Sequence, residues 1–113
     1  MARLQRMTSR SKYKNIKTIV DGITFASKKE ASRYAQLITL QKAGKIKGLQ
    51  LQPRIALMVN GHKIGYYVGD FQYELNGQVI LEDVKSTATK TPVYKLKKKI
   101  LATYDPPVHI SEV

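Results

Sequence analysis

Near the middle of this 113-residue chain stand three residues whose types and spacing suit phosphate or metal chemistry: Asp70, Asp83 and Lys85. Between them lies Asn76-Gly77, flanked by alternating runs; such a pair tolerates the positive φ angles of a type I′ hairpin turn. A two-residue loop fixes which residues face each other. With Leu75 opposite Gln78, counting outward along both strands places Asp70 directly across from Asp83, Cβ atoms about 4.5–5.5 Å apart. Lys85, two residues beyond Asp83, shares that face. Like charges opposed in this way are unfavourable. A hard divalent cation removes the objection: Mg²⁺, or Mn²⁺ as a substitute, takes one or two carboxylates and keeps waters for a phosphate to replace. A lysine beside it can orient or help deprotonate a water and stabilise charge on the phosphate. The plain alternative is a D-x-K triplet arisen by chance, its residues simply facing solvent near a strand end; the register match favours the first reading. The other face would carry Tyr67, Phe71, Tyr73, Leu75, Ile80 and Val84 as core. Glu82 falls on the face of Phe71 and Val84, out of phase with Lys85, and reads as structural.

These residues need a scaffold, and the sequence outlines one. Asp21-Gly22 and Asn60-Gly61 are two more hairpin signals. Ser27 opens a helix with Glu30 at capping-box spacing and Ala31, Tyr34, Ala35 and Ile38 as its apolar stripe; Gly44 stops it. Residues 49–59 read as a strand interrupted or edged by Pro53. Residues 62–75 and 78–85 complete a three-stranded meander. Pro92 suits a first helical turn, residues 93–104 a basic helix ending before Pro106-Pro107, and 108–110 a last short strand. The order predicts a small mixed α+β or α/β domain, with residues 1–12 a basic arm and 13–113 a single domain.

Composition narrows the partner. Twenty Lys+Arg against eight Asp+Glu give a net charge of +12, with 42% apolar residues, too apolar for a disordered polycation. The absence of Cys removes disulfides, thiolate metal sites and a Cys nucleophile; two histidines, His62 and His109, are too few for a histidine-built metal site. No apolar run approaches a membrane span and no signal-type segment follows the N-terminus, so the expected setting is the cytoplasm and the expected partner a polyanion. Arg3, Arg6, Arg10, Lys12 and Lys14 form one basic block, readable as a transit peptide or, more economically given the second block, as a phosphate-binding arm. Lys90, Lys95, Lys97, Lys98 and Lys99 form the second, either a solvated helix face or a row of phosphate contacts. Tyr66, Tyr67, Tyr73 and Tyr94 fit core and rim better than base-stacking platforms.

An aspartate ending one strand, D-x-K on the next and a glutamate on an upstream helix form the pattern of the PD-(D/E)XK nuclease superfamily, which this sequence resembles. In detail it resembles a small phage and prophage family near the Holliday-junction-resolvase-like endonucleases. The resemblance runs through Phe25 to Tyr34, Gly69-Asp70-Phe71-Gln72-Tyr73, Glu82-Asp83-Val84-Lys85-Ser86 and Tyr94-Lys95-Leu96-Lys97, within residues 13–104. It implies a restriction-endonuclease-like core, a central mixed sheet with a β-meander flanked by helices. It implies Asp70, Asp83, the Val84 carbonyl and Glu30 as metal-holding groups, with Glu30, Asp70, Asp83 and Lys85 catalytic. For Glu30 the capping box is a sufficient explanation by itself, and the two roles are compatible. The sequence departs from the motif at Gly69, where proline is usual. The activity implied is Mg²⁺-dependent hydrolysis of DNA phosphodiester bonds, on branched DNA if resolvase-like, by a homodimer in a host cytoplasm. The rival from another class is a basic nucleic-acid-binding protein without catalysis.

Overall fold

Three tight turns organise the strands, and each sits on its Asp-Gly or Asn-Gly pair: Asp21, Asn60 and Asn76 take φ of 53°, 51° and 51°, and the glycines that follow them 75°, 79° and 79°. Two successive positive φ values are the type I′ signature, affordable to Asn, Asp and Gly. The computed structural model describes residues 16–85 and 90–113. The chain divides into two units, Met1–Gln36 and Leu37–Val113.

In the first unit, β1 (Thr18–Val20) and β2 (Ile23–Phe25) form an antiparallel hairpin. α1 (Lys28–Lys42) follows. The Glu30 N–H donates to Ser27 Oγ at 3.1 Å, the predicted cap. Phe25 packs on Tyr34 with ring centroids 5.0 Å apart, and the Tyr34 hydroxyl donates to Asp21 Oδ2 at 3.2 Å, tying helix to turn. Burial, then that bond, raises the Tyr34 pKa.

In the second unit α1 ends in a Schellman motif: Lys45 N–H reaches the Leu40 carbonyl at 2.9 Å and Gly44 N–H the Gln41 carbonyl at 3.0 Å, with Gly44 at φ 77°. The remaining elements are β3 (Lys47–Leu51), β4 (Arg54–Val59), β5 (His62–Val68), β6 (Phe71–Leu75), β7 (Gln78–Asp83), α2 (Pro92–Ala102) and β8 (Ile110–Glu112). Together with the first unit they make a small mixed α+β fold, with two helices among the described residues. A four-stranded sheet runs β3-β6-β7-β8, antiparallel except for the parallel pair β7-β8; β4 and β5 form a separate ribbon.

Three expectations change here. Residues 49–59 are two strands, because Gln52 turns through φ 53° just before Pro53, which has no N–H for a ladder. Residues 62–75 are also two strands: β5 pairs with β4, while β6 pairs with β3 and β7, so the expected meander is a hairpin set beside a ribbon. The last strand lies at Ile110–Glu112 rather than 108–110. The break between β5 and β6 is held by Gly69 N–H to the Pro53 carbonyl and Gln52 N–H to the Asp70 carbonyl, both 3.0 Å.

The β6–β7 register is the predicted one. Phe71 faces Glu82 and Leu75 faces Gln78, where the ladder ends; Asp70 lies just before β6 and its N–H bonds to the Glu82 carbonyl at 3.0 Å, so the expected Asp70–Asp83 pair is not part of the ladder. Phe71 and Tyr73 are buried on one face, where the Tyr73 hydroxyl donates to the buried Glu82, consistent with a structural Glu82. The other face is not a bare chemical surface, as its polar residues suggested. Leu81, two residues before Asp83, packs in a cluster with Leu57, Tyr67, Tyr94, Leu101 and Ile110. Ribbon and α2 cover that face, and Asp83 sits at the margin of the core.

Candidate functional site

Each acidic side chain is fixed by a neighbour the fold supplies. Asp70 follows the tight Gly69 turn, and its Oδ2 accepts the Val84 N–H at 2.7 Å. Val84 thus engages this cluster through its N–H. Asp83 ends β7 and is only 5% exposed. A buried carboxylate needs hydrogen bonds: Oδ2 accepts from the Tyr67 hydroxyl, Oδ1 lies 3.5 Å from Lys85 Nζ, and the backbone carbonyl accepts from Val113 N–H at 3.0 Å. Lys85 is anchored through its own N–H to the Val113 carbonyl, and its ammonium lies 4.1 Å from the centroid of the Tyr94 ring.

Tyr67 is a correction to the sequence reading, which placed it with the core face opposite Asp83. Its ring is core, but β5 crosses from a different sheet and delivers the hydroxyl to Asp83. Burial raises the Tyr67 pKa most, followed by the bond to Asp83, with the charges of Asp83 and Asp70 adding to it. The phenol therefore remains a neutral donor, and both aspartates act on it. Tyr94 is raised likewise, by burial and then by its bond to Glu112.

Asp70, Asp83, Lys85 and the Val84 backbone are thus brought together in the second unit, and Asp83 and Lys85 line a cleft of about 260 Å³ with Tyr67, Tyr94 and Lys97. Glu30 belongs to the first unit, on the first turn of α1. Among the described residues no three His, Cys, Asp or Glu side chains group to hold a metal ion. A donor set of two carboxylates near one strand end nevertheless fits a hard cation such as Mg²⁺, which binds through one or two carboxylates and completes its shell with water.

The basic residues differ in what holds them. Arg3, Arg6, Arg10, Lys12 and Lys14 lie outside the described residues, as does Ser86 of the motif. On α2, capped by Thr91 Oγ1 accepting Tyr94 N–H at 3.1 Å, Lys98 pairs with Glu112 at 3.2 Å; Lys90, just before the helix, pairs with it at 3.1 Å. Lys97 donates to the Tyr66 carbonyl at 3.0 Å. Lys95 and Lys99 are exposed and line, with Lys90 and Lys98, a second cleft of about 490 Å³. Glu112, which sequence reasoning passed over, is the centre of this group: hydrogen bonds from Tyr94, Lys90 and Lys98 lower its carboxyl to about 2. No local signal marks it, since its partners lie 14 to 22 residues upstream, on α2 or just before it.

The family described as "Protein of unknown function (DUF1064)" matches residues 10–111. The chain belongs to that family. No curated protein and no solved structure matches it. The family's match takes in Gly69, Asp70, Asp83, Val84 and Lys85 and ends one residue before Glu112. Gly69 sits in a tight place: a Cβ there would meet Leu81 Cδ1 at 3.0 Å and both the Glu82 carbonyl oxygen and Pro53 Cγ at 3.4 Å, and its N–H donates to the Pro53 carbonyl, a bond proline cannot make. The departure from proline at this position thus follows from how closely β7 approaches the turn. Among the described residues no helix is long and apolar enough to cross a membrane.

Proposed function

We propose that the chain is a metal-dependent DNA endonuclease that hydrolyses phosphodiester bonds, with branched DNA as its preferred substrate and a homodimer as the form that cuts two strands. The observation that carries this reading is the end of the β6–β7 hairpin, where the Asp70 carboxylate reaches Val84, both Asp70 and Asp83 act on Tyr67, and Lys85 stands 3.5 Å from Asp83 in an open cleft. A restriction-endonuclease-like core is the finer fold this implies, supported by the order helix, antiparallel hairpin, helix, parallel strand.

Asp70 and Asp83 would hold Mg²⁺, which when bound supplies Lewis acidity and a nucleophilic water at neutral pH. The Val84 N–H and the Tyr67 hydroxyl each occupy one oxygen of their aspartate and so fix the carboxylate rotamers, the preorganisation that a charged site requires. Lys85 Nζ, partly shielded from water by Tyr94, is placed to steady negative charge on a phosphate oxygen. The excess of basic residues holds the backbone over this acidic centre without reading sequence.

The test is incubation of the folded protein with labelled linear duplex, single-stranded, flap and four-way-junction DNA in Mg²⁺, Mn²⁺ or EDTA. Cleavage only with metal, lost in Asp70→Asn and Asp83→Asn while binding persists, is the expected result. Salt-sensitive binding without nicking of any substrate, at any pH or salt tried, would leave the non-catalytic binder and sink the nuclease.

A further inference from the structure

The β4–β5 ribbon has two unlike faces, and one irregularity decides who occupies the outer one. The ladder pairs Arg54 with Val68, Ala56 with Tyr66 and Leu57 with Gly65, then passes over Ile64 to pair Met58 with Lys63. An extra residue on one strand reverses its alternation. Lys63 therefore joins Tyr66 and Arg54 on the outer face, although odd and even positions of β5 otherwise point apart, while Leu57 and Tyr67 stay in the core. Gly65 carries the backbone through the bulge at φ 156°, a value open chiefly to glycine.

Three cations gather around Tyr66, whose ring is exposed. The Arg54 guanidinium lies 4.2 Å from the Tyr66 centroid. The Lys63 ammonium lies 4.9 Å from it and donates to the Tyr66 phenol at 2.8 Å. Lys97 reaches over from α2 to the Tyr66 carbonyl. Among the described residues no carboxylate pairs with any of the three, whereas Lys47, Lys85, Lys90 and Lys98 all have acidic partners. Cations assembled without an acid repel one another, and an external anion relieves that repulsion. A guanidinium held flat over a ring also keeps its N–H edge for a bidentate contact with phosphate oxygens. Tyr66 lines the cleft that holds Asp83 and Lys85, so a strand of nucleic acid entering that cleft would pass this group.

We propose that the outer face of the ribbon is a nucleic-acid backbone clamp, in which Arg54, Lys63 and Lys97, organised by Tyr66, hold phosphates beside the Asp83–Lys85 cleft. The proposal takes its substrate class from the nuclease reading, but it concerns binding and is tested without metal. Fluorescence anisotropy on labelled duplex DNA in EDTA, repeated over a range of salt, gives the slope of log affinity against log salt. Each phosphate contact contributes about 0.9 to that slope, so the double variant Arg54→Gln with Lys63→Gln should lower it by about 2, with an unchanged circular dichroism spectrum. Lys47→Gln, which takes one charge from β3, should leave it as it was. A folded double variant with the wild-type slope overturns the clamp, as does an equal drop per charge in Lys47→Gln, or wild-type protein that shows no salt-sensitive binding. Loss of the slope in a protein that never cleaves DNA would sink the nuclease and keep the clamp; intact Mg²⁺-dependent cleavage with an unaltered slope would do the reverse.

Discussion

Asp83 and Glu112 are ladder partners on the parallel strands β7 and β8, and each accepts a hydrogen bond from a buried tyrosine hydroxyl. There the likeness ends. Glu112 is partly open to solvent and is met by two ammonium groups, Lys90 and Lys98. Asp83 is buried and, among the described residues, meets one, Lys85, at the longer distance of 3.5 Å, with a second carboxylate, Asp70, bonded to the next residue along, Val84. The Glu112 cluster is electrostatically complete; the Asp83 cluster holds two carboxylates against one lysine, the arrangement a bound cation would balance. Two neighbouring acids on one pair of strands thus separate into a clamp that ties β8 to α2 and a candidate reactive centre.

The contrast can be broken most severely by exchanging charge at each acid in turn. Asp83→Asn should abolish Mg²⁺-dependent cleavage, a loss on the order of a thousandfold or more for about 4 kcal/mol of transition-state stabilisation, while Glu112→Gln should leave cleavage near wild type. Equal losses in single-turnover cleavage assays would erase the distinction. Gly69→Pro, which installs the residue usual in the motif, should destabilise the fold by about 2–4 kcal/mol in urea unfolding, from overpacking against Leu81 and loss of the N–H donated to Pro53. Tyr67→Phe should cost about 1.5–3 kcal/mol, the range for a hydrogen bond to a charged group, because it leaves a buried carboxylate short of a donor. The smallest effect belongs to Glu112→Gln: under about 1 kcal/mol at neutral pH, since its lysine partners are nearly half exposed. Its signature is pH dependence. A carboxyl that ionises at about 2 when folded and near its usual 4.5 when unfolded contributes stability that is complete above pH 4.5 and lost as pH falls towards 2. Thermal melts of the wild type should show this acid limb, and Glu112→Gln should flatten it.

Much of the geometry was readable because it is local. Asn76-Gly77 determines the register of its own hairpin as far as Phe71 and Glu82, and counting fails only beyond them, where Asp70 leaves the ladder. Ser27 and Gly44 mark the ends of α1 through bonds to residues within one turn. What escaped sequence reasoning is long-range. Nothing within residues 49–75 states that β5 pairs only with β4, so Tyr67 was assigned to the wrong side of Asp83. The parallel partner of β7 arrives almost thirty residues later along the chain, and Glu112 with it. The bulge at Ile64 was hidden for another reason: an extra residue leaves composition unchanged and announces itself only when both strands are aligned.

That bulge makes the charge of the ribbon's outer face a question of parity. Removing Ile64 alone would restore strict alternation with Lys63 two positions from Tyr66, and so would keep Lys63 on the outer face beside it. Which face a β5 side chain occupies thus depends on which side of Ile64 it lies, and variants in this stretch are better compared by ladder alignment than by residue number.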